Sequence, residues 1–288
     1  GASGDVARVL TQIDVVHRMI TTYPDQLELA LTANEVIDAH RRGKIASMMG
    51  IEGGHAIENS LANLRMLYKA GARYMTLTLY SNYVNSAGER VRIALALKDI
   101  DYEYVSVSDI SWEVYERINP QRLMPALKIG DQIVPQATAI LEYLEETYPK
   151  PALLPADPVL RAQARAFAQH VVSEMHAIDV IRVRRFLHNE LGVDQAGIDH
   201  WQRHWFAKGF AALEALLVRR STAWPFCFGD TPGWADLHLT PQVTKGLSRF
   251  NVDMSPYPLI SGIHKACVTL PAFIVATPAE QPDYPGQV

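Results

Sequence analysis

The fold is decided by one stretch of sequence, Met124-Pro125-Ala126-Leu127-Lys128-Ile129-Gly130-Asp131-Gln132-Ile133-Val134-Pro135-Gln136-Ala137-Thr138. Its first part, Met124 to Ile129, predicts a strand that begins with a proline, because proline cannot donate a hydrogen bond inside a central strand. Gly130-Asp131 is a hairpin turn signal, and Gln132 to Val134 form the return strand. An amphipathic helix follows from Gln136 to Thr147, with its apolar residues on one face.

Four further elements precede this hairpin. The pattern predicts a strand, a helix, a strand and a short helix, at Leu79 to Tyr83, Ser86 to Lys98, Tyr102 to Val107 and Trp112 to Ile118. With the hairpin and its helix, the order is βαβ-α-ββα, which is typical of a thioredoxin-like domain over residues 79–150. A proline-rich linker follows, and residues 151–288 have a helical pattern throughout. We therefore expect an α/β domain followed by an all-α domain.

Composition excludes several classes of protein. The chain has 288 residues, of which 48% are hydrophobic and 20% charged, as in ordinary globular proteins. Its net charge of −4 argues against a nucleic-acid partner, and no apolar run reaches the roughly 20 residues of a membrane span. Two cysteines in so long a chain fit a reducing cytosol, and the first five residues carry no signal-peptide pattern. We therefore expect a cytoplasmic protein with neither a nucleic acid nor a membrane as partner.

Residues 1–78 form a separate segment with the pattern helix, helix, strand, helix, strand. Apolar residues at helical spacing predict the first helix over Val6 to Thr22. Short apolar runs predict buried strands at Lys44 to Ile51 and at Arg73 to Thr78. This alternation favours parallel βα units.

This first segment contains the run Gly50-Ile51-Glu52-Gly53-Gly54-His55-Ala56-Ile57-Glu58-Asn59-Ser60. With it, residues 1–78 resemble the metal-dependent membrane (renal) dipeptidases. The resemblance implies part of a TIM barrel, in which the glutamate matching Glu52 bridges two zinc ions at a strand end. A two-metal site needs ligands from several strands, and His55 has no named partner here. We therefore expect a partial barrel fragment without a metal site, and a zinc dipeptidase is the remote alternative.

The second segment, residues 79–288, contains a longer set of motifs. They include Arg90-Val91-Arg92-Ile93-Ala94-Leu95, Asn119-Pro120-Gln121, Met124-Pro125-Ala126-Leu127, Gly229-Asp230-Thr231-Pro232, Ala235-Asp236-Leu237, Pro241-Gln242-Val243 and Pro256-Tyr257-Pro258. This segment resembles the zeta-class glutathione transferases, which include maleylacetoacetate and maleylpyruvate isomerases. The resemblance implies a thioredoxin-like glutathione-binding domain at 79–150, an all-helical domain at 151–288, glutathione as cofactor, and a homodimer.

The hairpin proline and the next helix are the expected glutathione contacts. The resemblance implies that Pro125 is cis, so that Met124 turns its backbone outward and pairs with the cysteinyl backbone of glutathione like an added strand. Gln136, Ala137 and Thr138 open a helix whose free N–H groups face an anion, in the family the γ-glutamyl carboxylate. The family usually has serine at the position of Ala137, so one hydroxyl is lost. Plain helix capping is the alternative interpretation of Gln136 and Thr138.

The expected chemistry lies at Val84-Asn85-Ser86-Ala87, which occupies the four places of the family's Arg-Ser-Ser-Cys pattern and keeps its second serine. A thiol has a pKa of about 8.5 and reacts as thiolate, which a hydroxyl donor and a helix N-terminus stabilise. Ser86 is therefore expected to donate a hydrogen bond to the thiolate, with Asn85 as a second donor. The alternative is that Ser86 merely caps the helix. Val84 replaces an arginine that in the family helps to bind substrate carboxylates, so we expect a shifted range of substrates.

Three basic side chains of the helical segment are the expected substrate contacts. The run Ser173 to Arg182 matches a family segment that has a histidine and an arginine six residues apart, here His176 and Arg182. Six residues turn through about 600° on a regular helix, so the two flank one cleft only with a kink or a wide groove. The resemblance implies that both face the substrate, with His176 orienting it and Arg182 pairing with a carboxylate. Arg249 is a third candidate cation. A solvated face is the alternative for each arginine.

These residues predict a glutathione-dependent cis–trans isomerase for a maleyl diacid of the maleylacetoacetate or maleylpyruvate type, in aromatic catabolism. Glutathione thiolate adds to the double bond, the resulting single bond rotates, and elimination gives the trans isomer. Two alternatives stay open, a glutathione transferase for small electrophiles such as haloacids and a non-catalytic glutathione-binding module. The expected partners are the small-molecule diacid and a second copy of the chain.

Overall fold

A computed structural model describes residues 5–52, 61–130 and 132–285. The chain divides into two compact units, one formed by residues 1–81 with 101–135 and the other by residues 82–100 with 136–288. The boundaries of these units differ from those of the domains expected at 1–78, 79–150 and 151–288. That division into three domains stays a prediction. Within the described residues, no helix combines the length and the apolar character that crossing a bilayer requires.

The described residues form thirteen α-helices and seven strands. The helices are α1 (Asp5–Thr22), α2 (Ala33–Arg41), α3 (Leu61–Lys69), α4 (Ser86–Leu97), α5 (Trp112–Ile118), α6 (Ala137–Thr147), α7 (Pro158–His170), α8 (Ala177–Asp179), α9 (Ile181–Asn189), α10 (Gln195–Val218), α11 (Trp234–Phe250), α12 (Pro258–Cys267) and α13 (Pro271–Ile274). The strands are β1 (Leu27–Leu29), β2 (Ile45–Ser47), β3 (Met49–Glu52), β4 (Ala72–Ser81), β5 (Tyr102–Ser106), β6 (Ala126–Ile129) and β7 (Gln132–Pro135).

One long strand, β4, replaces the two strands predicted on either side of residue 78. Its first half pairs in parallel with β3, from Ala72 to Thr76. Its second half, Leu77 to Ser81, pairs in parallel with β5 and, over Thr78 to Tyr80, antiparallel with β6. The two predicted strands are continuous because no glycine, proline or other turn residue separates them. The junction between the two resemblances therefore lies inside one strand.

The single strand predicted at Lys44 to Ile51 is divided between two sheets. Its first part, β2, pairs in parallel with β1, a strand that was not predicted, and its second part is β3. A small core packs α1, α3, β3 and β4 together through Ile13, Met49, Ile51, Leu67 and Ala72. In the described part of residues 1–78 the strands thus form parallel pairs in two sheets, and a barrel-like arrangement stays a prediction.

The predicted hairpin is confirmed. β6 and β7 are antiparallel, with Ala126 opposite Pro135, and Gly130 has the positive φ of 61° that a tight turn requires. Asp131 lies outside the described residues. The Met124–Pro125 peptide bond is cis, as the resemblance implied.

In the second unit, α4 packs against α6 and α11. The end of α4 is fixed by Lys98, whose side chain is fully buried and whose Nζ lies 2.7 Å from Glu145 Oε2. The same Nζ donates to the carbonyl oxygens of Tyr148 at 2.6 Å and Pro151 at 2.9 Å. This ion pair therefore holds the proline-rich linker against the helices that precede it.

Candidate active site

Asn85 and Ser86 build the start of α4. Asn85 is the N-cap residue, and its Oδ1 accepts a hydrogen bond from the Gly88 N–H at 2.5 Å. Because Asn85 makes this capping bond, Ser86 is the first residue of the helix and its hydroxyl is not the cap. Ser86 is buried, with 6% of its surface exposed. The start of α4 therefore offers a buried hydroxyl at the positive end of a helix dipole.

Ser86 lies beside His176, the residue that ends a π-helical segment after α7. This segment spans Val171–His176, and single π-helical turns of this kind are frequent at functional sites. The Ser86 Oγ is 3.4 Å from the His176 Nδ1. Burial, helped by nearby cations, lowers the pKa of His176 well below 6.5, so the imidazole is neutral at pH 7.

A buried carboxylate, Asp179 at the end of α8, lies next to this histidine. Asp179 is 2% exposed and accepts hydrogen bonds from Gln242 Nε2 at 2.6 Å and from Lys245 Nζ at 2.5 Å. Its Oδ1 is 3.8 Å from the Nδ1 of His176. The sequence does not reveal this cluster, because Asp179 and Lys245 are 66 residues apart and each follows an ordinary helical pattern.

The kink that the spacing of His176 and Arg182 required is present. Helix α8 ends at Asp179, and the extended backbone of Val180, with ψ of 155°, interrupts the chain before α9 begins. Arg182 is exposed on α9, and its positive charge contributes to the lowered pKa of His176. The structure therefore brings the charge of Arg182 close to the histidine.

Arg249 is exposed on α11, one turn beyond Lys245. Burial lowers the pKa of Lys245, opposed by Asp179, and the neighbouring charges of Arg184 and Arg249 lower it further. Arg184 is half-buried on α9, with its guanidinium 5.7 Å from the centre of a phenylalanine ring. The cations of α9 and α11 thus lie close enough to affect one another, as a site for a doubly charged anion requires.

A second missed residue is Arg90 of α4. It is 1% exposed, and its Nε and Nη2 have no hydrogen-bond partner among the described residues. Burial lowers its pKa to about 10, opposed by the charges of Asp179 and Glu89. The signal available in the sequence was a group of charged residues, Glu89, Arg90 and Arg92, in a helix that is otherwise largely apolar.

The predicted anion site at the start of α6 has the expected backbone. Gln136 is the N-cap with a positive φ of 71°, and its side chain makes no capping hydrogen bond. Ala137 is buried and supplies no hydroxyl, as the sequence implied. Thr138 lines a cavity of about 260 Å³ together with Arg165 and Trp234. The first N–H groups of this eleven-residue helix are the groups that an anion would meet.

In the first unit, the side chains of Tyr115 and Asn119 hold the backbone before Met124 in place. The Tyr115 hydroxyl and the Asn119 Nδ2 both donate to the Leu123 carbonyl oxygen, at 2.8 Å and 2.7 Å. These bonds and the cis Met124–Pro125 peptide fix the backbone at the position expected to pair with glutathione.

The structure assembles no metal site among the residues it describes. No group of three or more histidine, cysteine, aspartate or glutamate side chains is positioned there to hold an ion. His55 of the dipeptidase-like run lies outside the described residues.

Two family models match the chain. One, described as "Glutathione S-transferase, N-terminal domain", matches residues 79–152, and the other, "Membrane dipeptidase (Peptidase family M19)", matches residues 2–97. The second match covers about a third of the chain and overlaps the first over residues 79–97. The transferase match and the solved structures below confirm the thioredoxin-like domain followed by a helical domain.

Maleylpyruvate isomerase from a Ralstonia species is 43% identical over 211 residues, which are 72% of this chain and 99% of the relative. A solved holo structure of maleylpyruvate isomerase, described as a bacterial zeta-class glutathione transferase, has a TM-score of 0.69, 43% identity and the same coverage of both chains. Maleylacetoacetate isomerase from Methylobacterium extorquens AM1, solved with bound malonate and glutathione, has a TM-score of 0.68 and 37% identity, over 73% of this chain and 100% of that one. The chain therefore belongs to the zeta-class glutathione transferases, the family of these isomerases.

Proposed function

We propose that the chain catalyses the glutathione-dependent cis–trans isomerisation of a maleyl diacid such as maleylpyruvate or maleylacetoacetate. One observation carries the proposal: the buried hydroxyl of Ser86 lies 3.4 Å from a neutral His176, with the charge of Arg182 nearby. The family supports the same chemistry, since a relative was solved with glutathione and the diacid malonate bound.

Each residue of this site has a defined task in the proposed reaction. Bound glutathione supplies the thiolate that adds to the double bond of the substrate and leaves after rotation. Ser86 donates its hydroxyl proton to the sulfur, and the helix dipole of α4 favours the same negative charge. Asn85 fixes the start of that helix and is a second donor. Arg182 and Arg249 hold the carboxylates of the diacid.

Met124, Pro125 and the start of α6 are proposed for binding glutathione rather than for the chemistry. The Met124 backbone is proposed to pair with the cysteinyl residue. The first N–H groups of α6, at Gln136, Ala137 and Thr138, are proposed to bind the γ-glutamyl carboxylate. The positive end of the dipole of this eleven-residue helix supports this assignment.

The test compares the wild type with Ser86→Ala in an assay of maleylpyruvate and maleylacetoacetate, with and without glutathione. Loss of one hydrogen bond to a charged sulfur should lower kcat/KM at pH 7 by about 10- to 100-fold. Ser255→Ala is the control, because Ser255 is exposed and its hydroxyl donates to the exposed Asp253. Absence of glutathione-dependent turnover in the wild type would refute the proposal, and glutathione binding without turnover would select the non-catalytic module.

Val84 favours a second candidate, a transferase in which the thiolate displaces halide from a small haloacid. Val84 is 38% exposed and carries no charge at the position where the family has an arginine. A site with one fewer cation holds a diacid less strongly, while a monoacid loses less. Val84→Arg should therefore raise the ratio of diacid to haloacid turnover, and an unchanged ratio would exclude this role for Val84.

For residues 1–78 we propose a non-catalytic remnant of a dipeptidase barrel. The membrane dipeptidase match and the parallel pairing of β1 with β2 and of β3 with β4 support this origin. Metal analysis of the purified protein should find no bound zinc, and the protein should not hydrolyse dipeptides. Stoichiometric zinc with dipeptide hydrolysis would instead establish the zinc dipeptidase alternative.

We also propose a cytoplasmic homodimer: the family resemblance implies the dimer, and the low number of cysteines implies the compartment. Both cysteines, Cys227 and Cys267, are free, which supports a reducing compartment. Light scattering on the eluting protein should give twice the mass of 32.1 kDa. A mass of one chain across a range of concentrations would exclude the dimer.

A further inference from the structure

A buried ion pair lies beside the proposed catalytic histidine. Asp179 is 2% exposed and Lys245 has a side chain that is 11% exposed, and their charged atoms are 2.5 Å apart. Buried ion pairs contribute little net stability, because both partners lose their hydration. Gln242 donates a second hydrogen bond to Asp179, at 2.6 Å. These two contacts fix the orientation of the Asp179 side chain.

The Nδ1 atom of His176 lies between this carboxylate and the serine. It is 3.8 Å from Asp179 Oδ1 and 3.4 Å from Ser86 Oγ. A neutral imidazole carries one proton, on Nδ1 or on Nε2, and the unprotonated nitrogen presents a lone pair. A lone pair on Nδ1 would face the negative charge of Asp179, whereas an N–H at Nδ1 would be attracted to it.

We infer that Asp179, held by Lys245 and Gln242, is a positioning residue that fixes the proton of His176 on Nδ1. The Nδ1–H then donates to Ser86 Oγ, which leaves the Ser86 hydroxyl proton free to point towards the sulfur. In the other tautomer, Nδ1 would accept that proton and Ser86 would have none to donate to a thiolate. The tautomer itself does not depend on the proposed function, but its benefit to the sulfur rests on that function.

The charges around His176 show how Lys245 affects the protonation of the histidine beside Asp179. An isolated carboxylate so close to His176 would favour the doubly protonated imidazolium. Lys245 on α11 offsets that effect, and Arg90 on α4 and Arg182 on α9 add positive charge from two further elements. Burial is the main cause of the lowered pKa of His176, and these positive charges add to it against a hydrogen bond with Gln242, while Asp179 biases which nitrogen carries the proton.

The test is nitrogen-15 NMR of the full chain labelled at histidine, at pH 7 and without ligands. His176→Gln identifies the His176 signals by their disappearance. The expected wild-type spectrum has a protonated, pyrrole-type Nδ1 and an unprotonated, pyridine-type Nε2. The opposite assignment would overturn the inference, whatever the protein's substrate is.

Asp179→Asn removes the charge but keeps an oxygen that accepts from Lys245 and Gln242, and it should lose the preference for Nδ1–H. Asp236→Asn is the matched control, since Asp236 is another buried aspartate of the second unit, bonded to the N–H groups of Cys227 and Gly233. An unchanged His176 pattern in Asp179→Asn would overturn the inference. If the single variant does not fold, Asp179→Asn with Lys245→Met removes both charges and makes the same comparison.

A second readout is the pKa of the glutathione thiol on the protein, followed by thiolate absorbance. Asp179→Asn should raise this pKa by about one to two units, the loss expected for one hydrogen bond to a charged atom, and Asp236→Asn should leave it unchanged. An unchanged thiol pKa in Asp179→Asn would overturn the link to the sulfur. Absence of glutathione binding in the wild type would refute the proposed function and leave the tautomer to be decided by the NMR experiment.

Discussion

Glu89, a buried carboxyl in α4, makes the stability of the protein depend on pH in an unusual direction. Glu89 is 6% exposed, and burial raises its pKa from 4.5 to about 7, against the opposing effect of Arg92 and then Arg90. Because the pKa is raised in the folded state, the folded chain holds the proton more tightly than the unfolded chain between pH 4.5 and about 7. The contribution of Glu89 to the free energy of unfolding is therefore fully present below pH 4.5 and is lost as the pH rises through about 7.

The magnitude follows from the two pKa values. Each pKa unit corresponds to about 1.4 kcal/mol. The rise of the Glu89 pKa from 4.5 to about 7 therefore lowers the free energy of unfolding by about 3 kcal/mol above pH 7. Glutamine resembles the protonated carboxyl in shape and does not titrate. Glu89→Gln should therefore be more stable than the wild type by less than about 1 kcal/mol at pH 5 and by about 3 kcal/mol at pH 8.

The assay is urea denaturation of both proteins at pH 5 and pH 8, because comparing the two differences cancels all other titrating groups. Glu146→Gln is the control, since Glu146 lies on the exposed side of α6 and its replacement should change stability by at most about 0.5 kcal/mol at either pH. An advantage of Glu89→Gln that does not grow between pH 5 and pH 8 would refute the reasoning.

Two further predictions concern the linker and the glycines. Lys98→Met should cost about 3–5 kcal/mol in urea denaturation, because it removes the buried cation that faces the largely buried Glu145 carboxylate, which is left with the N–H groups of Leu153 and Leu154. Arg165→Met, which breaks a partly exposed ion pair, should cost about 1 kcal/mol or less, and equal losses would contradict the argument. Gly233→Ala should cost about 1–3 kcal/mol, since the added Cβ would lie 2.6 Å from the Leu153 carbonyl oxygen. Gly262→Ala in α12 meets no atom within 4 Å and should be stabilising by about 0.5–1 kcal/mol, so a shared sign of the two changes would refute the steric explanation.

The local elements were predictable where a cap and a turn bound them. Helix α5 has the predicted limits, Trp112 to Ile118, and the Ser111 hydroxyl caps it by accepting from the Val114 N–H at 3.3 Å. Strand β4 was wrongly predicted as two strands, because the change of family resemblance at residue 78 suggested a boundary where the sequence has no turn residue. A resemblance records ancestry, whereas a strand ends only where its backbone pairing or a turn residue ends it.

The candidate site was predictable only in part. Ser86, His176 and Arg182 follow from motifs that lie close together in the sequence or match the family. Asp179 and Lys245 are charged residues in helices, and such residues usually face solvent. Only the π-helical segment and the break at Val180 turn Asp179 inward, and neither has a periodic signal in the sequence.

Strand β4 also decides how the two segments depend on each other. Leu77 and Thr78, which belong to the dipeptidase-like segment by resemblance, pair with Tyr102 and Glu103 of the transferase-like segment. The Thr78 hydroxyl also donates to the Glu103 Oε2 at 2.9 Å. A chain cut after Thr78 would lose these pairs, so the transferase segment must be studied in a chain that begins at or before Leu77. Since β3 pairs with the first half of the same strand, Met49–Glu52 also belong to the sheet that contains the transferase-like strands.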